Sequence, residues 1–430
     1  MLRKRTVLIA LLALLARYSP ALAEGDAVRT LGTGVGTASP FKPAPLDTKS
    51  LPPYDPAGTH IHYGLTLSKE MTAALRAYDS AFKVWGQEDY DAKLIRAYKF
   101  SLQSSPAAVI GDFNGDGRPD VYLSGNDGLY SIGVSVLSDS ATSYAVLERG
   151  KIKIDEIGEW VYIENTKKFR SVFAFLPKGS RYECGSDNIT GFNVLKNDGI
   201  AIQDFYRDTE NKEYFWTQEI RYWDTSKKEF LGCGTRSPDN IMFPAAYTNE
   251  RDSSAQLPLY DPNGPRLEYS VVLSSVMTES LRSYDPDFML WEQKDYEPIL
   301  VGAYRYSLQS IPSAVIGDFN GDKIQDVALL GHNKTHDKRI VVLSKNTRHS
   351  VIELLNYPLT DPLFPTAKKG GGNIGQLLEL VPAGRKIKAE PAYNRPALNL
   401  KNDAFEYGGE SGSRLYYYNG SRFVEYALSD

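Results

Sequence analysis

The sequence predicts an α+β protein made of two tandem homologous domains, each with N-terminal helices and a mainly antiparallel, blade-like β-sheet. Three observations lead to this prediction. A long segment of the chain repeats itself, helical periodicity opens each copy, and strand patterns bounded by turn residues follow. The alternative architecture is a β-propeller in which most blades have lost their loops.

The composition is that of a folded, globular chain. Its 430 residues are 42% hydrophobic and 12% aromatic, with 49 basic and 53 acidic side chains and a formal net charge of −4. A nucleic-acid-binding protein normally carries a basic balance, so we expect no nucleic acid partner.

The first 23 residues have the pattern of a signal peptide. Arg3, Lys4 and Arg5 precede an apolar run that is too short to span a bilayer, and Ala21-Leu22-Ala23 forms an A-x-A site. Cleavage after Ala23 predicts a secreted or periplasmic protein without stable membrane insertion; a single N-terminal anchor is the alternative. Residues 24–50 are rich in Gly, Thr, Ser and Pro, which predicts a flexible linker.

An internal repeat defines the domain organisation. The sequence LPPYDP at residues 51–56 returns as LPLYDP at 257–262, an offset of 257 − 51 = 206. The offset holds without a gap over the 75 positions from Leu51 to Gly125, of which about 40 are identical. The later halves match at an offset of 205, with Leu-Lys-Asn-Asp at 195–198 and again at 400–403. The repeat predicts domains at 51–245 and 257–430, because its period is too long for a solenoid.

Each unit is expected to open with a helix and to continue in strands. Ser68 can cap a helix that carries Met71, Leu75 and Tyr78 on one face, and the second unit repeats this pattern. A second helical stretch is predicted over residues 89–100. Strand patterns follow at 107–110, 121–123, 133–137, 144–147 and 172–176, and Asn419-Gly420 predicts a hairpin near the C-terminus.

Oxygen-bearing side chains alternate in one loop of the first unit. They are Asp112, Asn114 and Asp116, followed by Asp120, and the backbone carbonyl of Arg118 can supply the position between the last two. Ca²⁺ takes six to eight oxygen ligands, and a tight loop provides them by turning every second side chain inward. The loop lacks the glutamate of an EF-hand at its twelfth position, and its flanks are β-like.

The segment from Gly111 to Val121 resembles the FG-GAP or VCBS repeat, the calcium-loop hairpin of integrin-α-type propeller blades. The resemblance covers about 30 residues in each unit. It implies one Ca²⁺ held by Asp112, Asn114, Asp116, the Arg118 carbonyl and Asp120, and it implies no catalytic activity.

The second unit repeats the loop with one change. Its corresponding ligands are Asp318, Asn320, Asp322, the Ile324 carbonyl and Asp326. Lys323 stands where the first loop has Gly117, and a non-glycine residue at positive φ is strained while an ammonium opposes a cation. We therefore expect a weaker second calcium site. The alternative for both loops is a hairpin turn without an ion.

The two cysteines of the chain are Cys184 and Cys233. An even cysteine count in an exported protein predicts a disulfide between them, and two buried free thiols are the alternative.

The sequence nominates no catalytic residue. It contains neither a G-x-S-x-G elbow nor an H-E-x-x-H motif, so an enzyme is less expected than a binding protein. Dense aromatic groups such as Tyr222-Trp223 suit either strand packing or a platform for a protein or glycan ligand. We expect an exported, calcium-binding interaction protein; the alternative is a secreted hydrolase acting on polysaccharide or lipid, with structural calcium.

Overall fold

The computed structural model describes just under two thirds of the chain. The described residues are 58–90, 101–140, 142–157, 168–169, 171–182, 193–207, 214–235, 241–242, 264–304, 306–345, 348–359, 374–388, 396–409 and 412–429. The predicted signal peptide, the linker and the predicted domain junction all lie outside these residues.

The first repeat contains one helix and fourteen strands among its described residues. In chain order they are β1 (His60–Thr66), α1 (Lys69–Tyr78), β2 (Lys83–Val84), β3 (Ser104–Ser105), β4 (Ala108–Gly111), β5 (Asp120–Asn126), β6 (Tyr130–Ser138), β7 (Tyr144–Lys153), β8 (Ser171–Leu176), β9 (Arg181–Tyr182), β10 (Asn193–Val194), β11 (Gly199–Arg207), β12 (Tyr214–Asp224), β13 (Glu229–Thr235) and β14 (Ile241–Met242). Short 3-10 turns lie at Gln87–Asp89 and Ile154–Glu156.

The described elements of the second repeat follow the same order, with the added helix α3 and without a counterpart of β14. They are β15 (Arg266–Val272), α2 (Ser275–Tyr284), β16 (Met289–Leu290), α3 (Pro298–Ala303), β17 (Ser310–Ile311), β18 (Ala314–Gly317), β19 (Asp326–His332), β20 (His336–Lys345), β21 (Arg348–Pro358), β22 (Gln376–Val381), β23 (Lys386–Ile387), β24 (Leu398–Asn399), β25 (Ala404–Gly409), β26 (Gly412–Tyr418) and β27 (Phe423–Ser429). A 3-10 turn lies at Gln293–Asp295, where the offset of 206 places the turn of the first repeat.

Each repeat is built from a larger and a smaller antiparallel sheet. In the first repeat, β3-β4-β5-β6-β7 form a sheet that β2 joins beside β5, and β13-β12-β11-β8 form a four-stranded sheet. The second repeat has the counterparts β17-β18-β19-β20-β21 with β16, and β22-β25-β26-β27. Small sheets of β10-β9-β14 and β23-β24 lie apart from these.

The prediction of an α+β fold is wrong. The protein is mostly β, with 55% strand and 12% helix. The first described element of each unit is a strand, β1 or β15, and the helical pattern that starts at Ser68 lasts only ten residues before Asp79 takes an extended conformation. The residues that follow, including the buried runs of β4 and β5, pair with their neighbours as strands.

The propeller alternative is also wrong for the part of the chain that is described. Its sheets stay open, with β3 and β7 at the edges of the larger sheet and β13 and β8 at the edges of the smaller one, and they close into neither a barrel nor a propeller.

Several local predictions are confirmed. The Ser68 hydroxyl accepts a hydrogen bond from Met71 N at 3.1 Å, and Met71 and Leu75 are buried on one face of α1. The five predicted strands coincide with β4 to β8, and Asn419-Gly420 forms the turn between β26 and β27. The predicted helix over residues 89–100 falls almost wholly outside the described residues.

A two-stranded ribbon joins the repeats. β1 pairs with β15 in an antiparallel register that places Tyr63 opposite Tyr269, and these residues are equivalent, since 63 + 206 = 269. The pairing is therefore self-complementary, as in a two-fold symmetric dimer interface. Tyr269 also donates its hydroxyl to the backbone carbonyls of Ser101 and Ser104 in the first repeat, at 2.9 and 3.1 Å.

The apolar core follows this arrangement. One buried cluster extends from Ile61, Met71 and Leu123 of the first repeat to Leu267 and Met277 of the second. A separate cluster fills the space between the two sheets of the first repeat: Val109, Phe113, Tyr122, Leu137, Phe173, Phe175 and Ile200. None of the described helices is long and apolar enough to cross a membrane.

Candidate metal centre

The first oxygen-rich loop connects β4 to β5, and its side chains are turned toward the loop's own backbone. The Asp112 carboxylate accepts Gly115 N at 2.8 Å on Oδ1 and Gly117 N at 2.9 Å on Oδ2. Asn114 Oδ1 accepts Asp116 N at 3.0 Å, and Asp116 Oδ1 accepts the amide of Arg118 at 2.9 Å. This ladder of side-chain acceptors fixes the path of the loop.

Two glycines make the loop conformation possible. Gly115 and Gly117 have φ angles of 81° and 80°, in the left-handed region that side chains disfavour. At Gly115 space is also short, because an added Cβ would lie 2.5 Å from Asn197 Oδ1. At Gly117 an added Cβ would meet nothing within 4 Å, so only the backbone angle favours glycine there.

Asp120 is the buried anchor of the loop, with no exposed surface. Its Oδ2 accepts the amides of Phe113 and Asn114 at 2.9 and 3.1 Å, and its Oδ1 accepts Ser138 N and Oγ at 2.7 and 3.0 Å. Oδ2 thus takes two hydrogen bonds, and Oδ1 shares the single Ser138 hydroxyl proton with Asp116 Oδ2. The carboxylate joins the start of the loop to the end of β6, and it could bind an ion only if one of these donors moved.

Ser138, at the end of β6, is a second contact point. Its hydroxyl lies 2.7 Å from Asp116 Oδ2, and its carbonyl oxygen accepts Asn114 Nδ2 at 2.7 Å. The loop is therefore tied to β6 as well as to β4 and β5.

The Leu-Lys-Asn-Asp segment before β11, in the smaller sheet, makes hydrogen bonds to the loop. Asp198 Oδ2 accepts Asp112 N at 2.8 Å, and Asp198 N donates to the Asp112 carbonyl at 3.2 Å. Asp198 Oδ1 accepts the amide of Lys178 at 2.9 Å, and Asn197 Nδ2 donates to the Phe113 carbonyl at 3.1 Å. We call Asn197 and Asp198 the clamp. It links the loop of the larger sheet to the four-stranded sheet.

The second repeat reproduces this arrangement. Asp318 accepts Gly321 N and Lys323 N at 2.7 and 3.0 Å, Asn320 Oδ1 accepts Asp322 N at 3.0 Å, and Asp322 Oδ1 accepts Ile324 N at 2.9 Å. The buried Asp326, Ser344 and the clamp residues Asn402 and Asp403 take the places of Asp120, Ser138, Asn197 and Asp198.

Lys323 adopts the conformation that its glycine counterpart favours. Its φ angle is 66°, and it is one of two non-glycine residues with positive φ among the described residues, the other being Lys228. The second loop therefore keeps the path of the first and carries the strain of a side chain in the left-handed region.

Burial shifts the pKa of the anchoring aspartate in both loops. Burial raises the pKa of Asp120 and that of Asp326 to about 6, although hydrogen bonds from neighbouring amides oppose the shift. Burial also raises the pKa of Asp318, and the charges of Asp322 and Asp403 raise it further. In the second repeat, neighbouring carboxylates thus add to the effect of burial on the ionisation of Asp318.

The donor set fits a hard divalent cation in its chemistry. Asp112, Asn114 and Asp116 present oxygens that each accept at most one hydrogen bond, which leaves a lone pair on each. In the ranges given above, no three histidine, cysteine, aspartate or glutamate side chains are grouped as a metal site. An ion in either loop would therefore need the asparagine oxygen and a backbone carbonyl besides the carboxylates, as calcium loops commonly do.

The remaining predicted residues are placed as follows. The side chain of Ile324 is 39% exposed and points away from the core, so only its carbonyl could serve as a ligand. Cys233 lies buried in β13, whereas Cys184 falls outside the described residues, and the disulfide stays a prediction.

Sequence reasoning missed the clamp residues and the two serines that follow β6 and β20. Asn197 and Asp198 lie more than 80 residues from the loop they contact. Their signal was present in the repeat, because the Leu-Lys-Asn-Asp segment recurs where most neighbouring residues differ. No protein-family model matches the chain, and no curated protein matches it either.

Proposed function

We propose that this chain is an exported, calcium-binding protein that works as a non-catalytic binding module for a protein or glycan. The observation that carries the proposal is the retention, in both repeats, of a loop whose alternate oxygen side chains turn inward on the loop's own amides. The predicted signal peptide supports export.

In the first loop we propose Asp112, Asn114, Asp116 and the Arg118 carbonyl as ligands. Asp120 would join them only if Ser138 gave up one of its hydrogen bonds. The second set is Asp318, Asn320, Asp322 and the Ile324 carbonyl, with Asp326 as the counterpart of Asp120. A bound calcium ion would neutralise the crowded carboxylates.

The clamp gives this neutralisation a structural role. Asp112 carries two loop amides through its side chain and contacts Asp198 through its backbone, so it lies at the junction of the two sheets. An ion that binds only the folded loop stabilises the fold by mass action, by about 2.7 kcal/mol at a concentration 100-fold above its dissociation constant. We therefore infer that calcium stiffens the contact between the sheets and makes the module rigid.

Thermal unfolding of the full chain tests the proposal. We expect the midpoint to be several degrees higher in millimolar calcium than in chelator, and magnesium to have a smaller effect because it requires a near-ideal octahedral site and loses its bound water reluctantly. An equal midpoint in calcium and in chelator would contradict calcium binding.

Matched variants locate the effect. Asp112→Asn and Asp318→Asn each keep the shape of the side chain but remove one charge, so each should reduce the difference between the calcium and chelator midpoints. The variants also lose hydrogen bonds, which lowers their midpoint both in calcium and in chelator. The difference between the two midpoints cancels this loss and leaves the effect of calcium. Arg76→Leu, an exposed change on α1, should leave the difference unaltered.

A further inference from the structure

Asparagine followed by glycine is the sequence at which a side-chain amide is most easily lost, because glycine has no side chain to hinder attack by its own nitrogen. The chain contains four such pairs, which begin at Asn114, Asn263, Asn320 and Asn419. Asn263 lies outside the described residues. The other three pairs all lie in turns between strands, so their surroundings can be compared directly.

The loss of the amide begins when the main-chain nitrogen of the glycine attacks the side-chain carbon, Cγ, of the asparagine. The nitrogen gives up its proton, and Nδ2 of the asparagine leaves as ammonia. A glycine N–H or an amide group that is held in a hydrogen bond must break this bond before it can react. The hydrogen bonds of each pair therefore decide its reactivity in the folded chain.

In the two oxygen-rich loops, both reacting groups are held. Gly115 N donates to Asp112 Oδ1 at 2.8 Å, and Asn114 Nδ2 donates to the Ser138 carbonyl at 2.7 Å. The second loop makes the same two hydrogen bonds through its corresponding residues. Both pairs are therefore protected by the fold.

The pair at Asn419 has the opposite arrangement. It lies at the exposed tip of the hairpin between β26 and β27. Among the residues that the structure describes, neither Gly420 N nor Asn419 Nδ2 has a hydrogen-bond partner. Gly420 has a φ angle of 98°, and a Cβ added to it would meet nothing within 4 Å. Both reacting groups are thus free and accessible to water.

The side-chain carbonyl of Asn419 is held in a geometry that favours attack. Its Oδ1 accepts Ser421 N at 3.0 Å, Ser421 Oγ at 2.9 Å and Arg422 N at 3.1 Å. The bond from Ser421 N closes a ring that contains both Asn419 Cγ and Gly420 N, so the side chain is folded back toward the nitrogen. Attack places negative charge on Oδ1, and donors aimed at this oxygen stabilise that charge as an oxyanion hole does.

We propose that Asn419 is a site of spontaneous deamidation, with water as the co-reactant. Gly420 N forms a bond to Asn419 Cγ, the bond from Cγ to Nδ2 breaks, and ammonia leaves with the proton that Gly420 N has lost. The cyclic imide then takes up water at either of its carbonyl carbons and opens to aspartate or to isoaspartate. The reaction replaces a neutral side chain by a negative one at the tip of this hairpin.

The first repeat indicates which product the turn accepts. In the hairpin between β12 and β13, Asp224 Oδ1 accepts Ser226 N, Ser226 Oγ and Lys227 N at 2.8, 2.6 and 3.2 Å, the same kinds of donor that hold Asn419. The aspartate product should therefore keep the hairpin. Isoaspartate adds a carbon atom to the main chain and should displace the hydrogen bond from Asn419 N to the Arg422 carbonyl.

This inference goes beyond the proposed function and does not depend on calcium. The experiment incubates the freshly purified full chain in heavy-oxygen water at neutral pH with chelator, both folded and in denaturant. Mass spectrometry after digestion at acidic pH then measures the heavy oxygen that enters at Asn114, Asn320 and Asn419. Repeating the incubation in calcium shows whether the loops are protected further, and the rate at Asn419 should stay the same.

In the folded chain we expect Asn419 to react about tenfold or more faster than the two loop asparagines, because only their reacting groups must first break hydrogen bonds. In denaturant the three rates should be similar, since only the local sequence then acts. The products at Asn419 should include both isoaspartate and aspartate. Equal rates at the three sites of the folded chain, or aspartate without isoaspartate, would overturn the proposal.

Two matched variants test the role of the turn. Ser421→Ala removes one donor to Asn419 Oδ1 but keeps the Asn-Gly pair, so it should slow the reaction at Asn419 by about threefold to tenfold. Ser226→Ala removes the equivalent hydroxyl from the hairpin of the first repeat and should leave the rate at Asn419 unchanged. An equal or faster reaction at Asn419 in Ser421→Ala would contradict the stabilisation of the charge on Oδ1.

Discussion

The exchange of Lys323 and Gly117 between the two loops provides a reciprocal test of backbone strain. Lys323→Gly removes the side chain from a residue at φ 66°, and Gly117→Lys places one at φ 80°. Both residues keep their amide hydrogen bonds, to Asp318 at 3.0 Å and Asp112 at 2.9 Å. A Cβ at Gly117 meets no atom within 4 Å, so the exchange changes conformational preference and charge without a clash.

The expected magnitude follows from two opposing terms. The left-handed conformation costs a non-glycine residue about 1–2 kcal/mol. Glycine loses about 0.5–1 kcal/mol through its greater freedom in the unfolded chain. We therefore expect Lys323→Gly to raise the free energy of unfolding by about 0.5–1 kcal/mol and Gly117→Lys to lower it by a similar amount.

Thermal unfolding in chelator measures this difference without a contribution from calcium. For a unit of 150–250 residues, the change corresponds to about 1–4 °C in the midpoint. A Lys323→Gly variant no more stable than the natural chain, or a Gly117→Lys variant that loses nothing, would refute the assignment of strain to this position.

A third variant separates strain from charge. Lys323→Gln keeps a side chain at positive φ but removes the ammonium, so its midpoint in chelator should match that of the natural chain. Through water, an exposed positive charge weakens the binding of a nearby cation by about 0.5 kcal/mol. We therefore expect calcium to bind the second loop of this variant roughly twofold more tightly, as calorimetry would show, and a weaker affinity would contradict the charge argument.

Two further predictions concern the carboxylates around the loops. Asp198→Asn should lower the free energy of unfolding by about 1–3 kcal/mol, because Asp112 N and Lys178 N donate to separate oxygens of Asp198 and an amide group provides only one acceptor. Denaturant unfolding measures this loss of stability. An unchanged denaturation midpoint would contradict the role of the clamp. Burial raises the folded pKa of Asp120 and Asp326 to about 6, above the unfolded value of 3.8, so their stabilising contribution is fully present below pH 3.8 and is lost as the pH rises through about 6. In chelator, the natural chain should therefore lose more stability between pH 4 and 7 than an Asp120→Asn variant. Parallel pH profiles of stability for the two proteins would count against the pKa shift.

Local patterns in the sequence predict the local structure well. The spacing of Met71 and Leu75 and the cap at Ser68 predict a helix that is present, because capping and the burial of one face act within a few residues. The prediction of the fold class was wrong because a single ten-residue helix does not form a helical layer of the fold. The strand before it, β1, pairs with β15 about 200 residues away, and no local pattern specifies such a partner.

The loop illustrates the same limit at the level of the site. Alternation of Asp112, Asn114 and Asp116 predicts side chains that turn inward, and they do so on the amides of their own loop. The partners Ser138 and Asp198 come from other strands, and only the three-dimensional arrangement of the sheets brings them to the loop. The internal repeat shows that such residues are retained but does not show what they contact.

The two repeats share the contacts around the loop and differ in the residues between their sheets. Both copies keep the loop, the buried aspartate and the clamp, which are the contacts that hold the two sheets together. Between those sheets the copies differ in the position of an arginine: the first has Arg149, whose guanidinium lies 5.0 Å from the Phe230 ring centroid, and the second has Arg339, whose guanidinium lies 3.2 Å from the Tyr407 ring centroid. A feature needed for folding is expected in both copies of a duplicated unit. The shared contacts therefore have a structural role in both repeats.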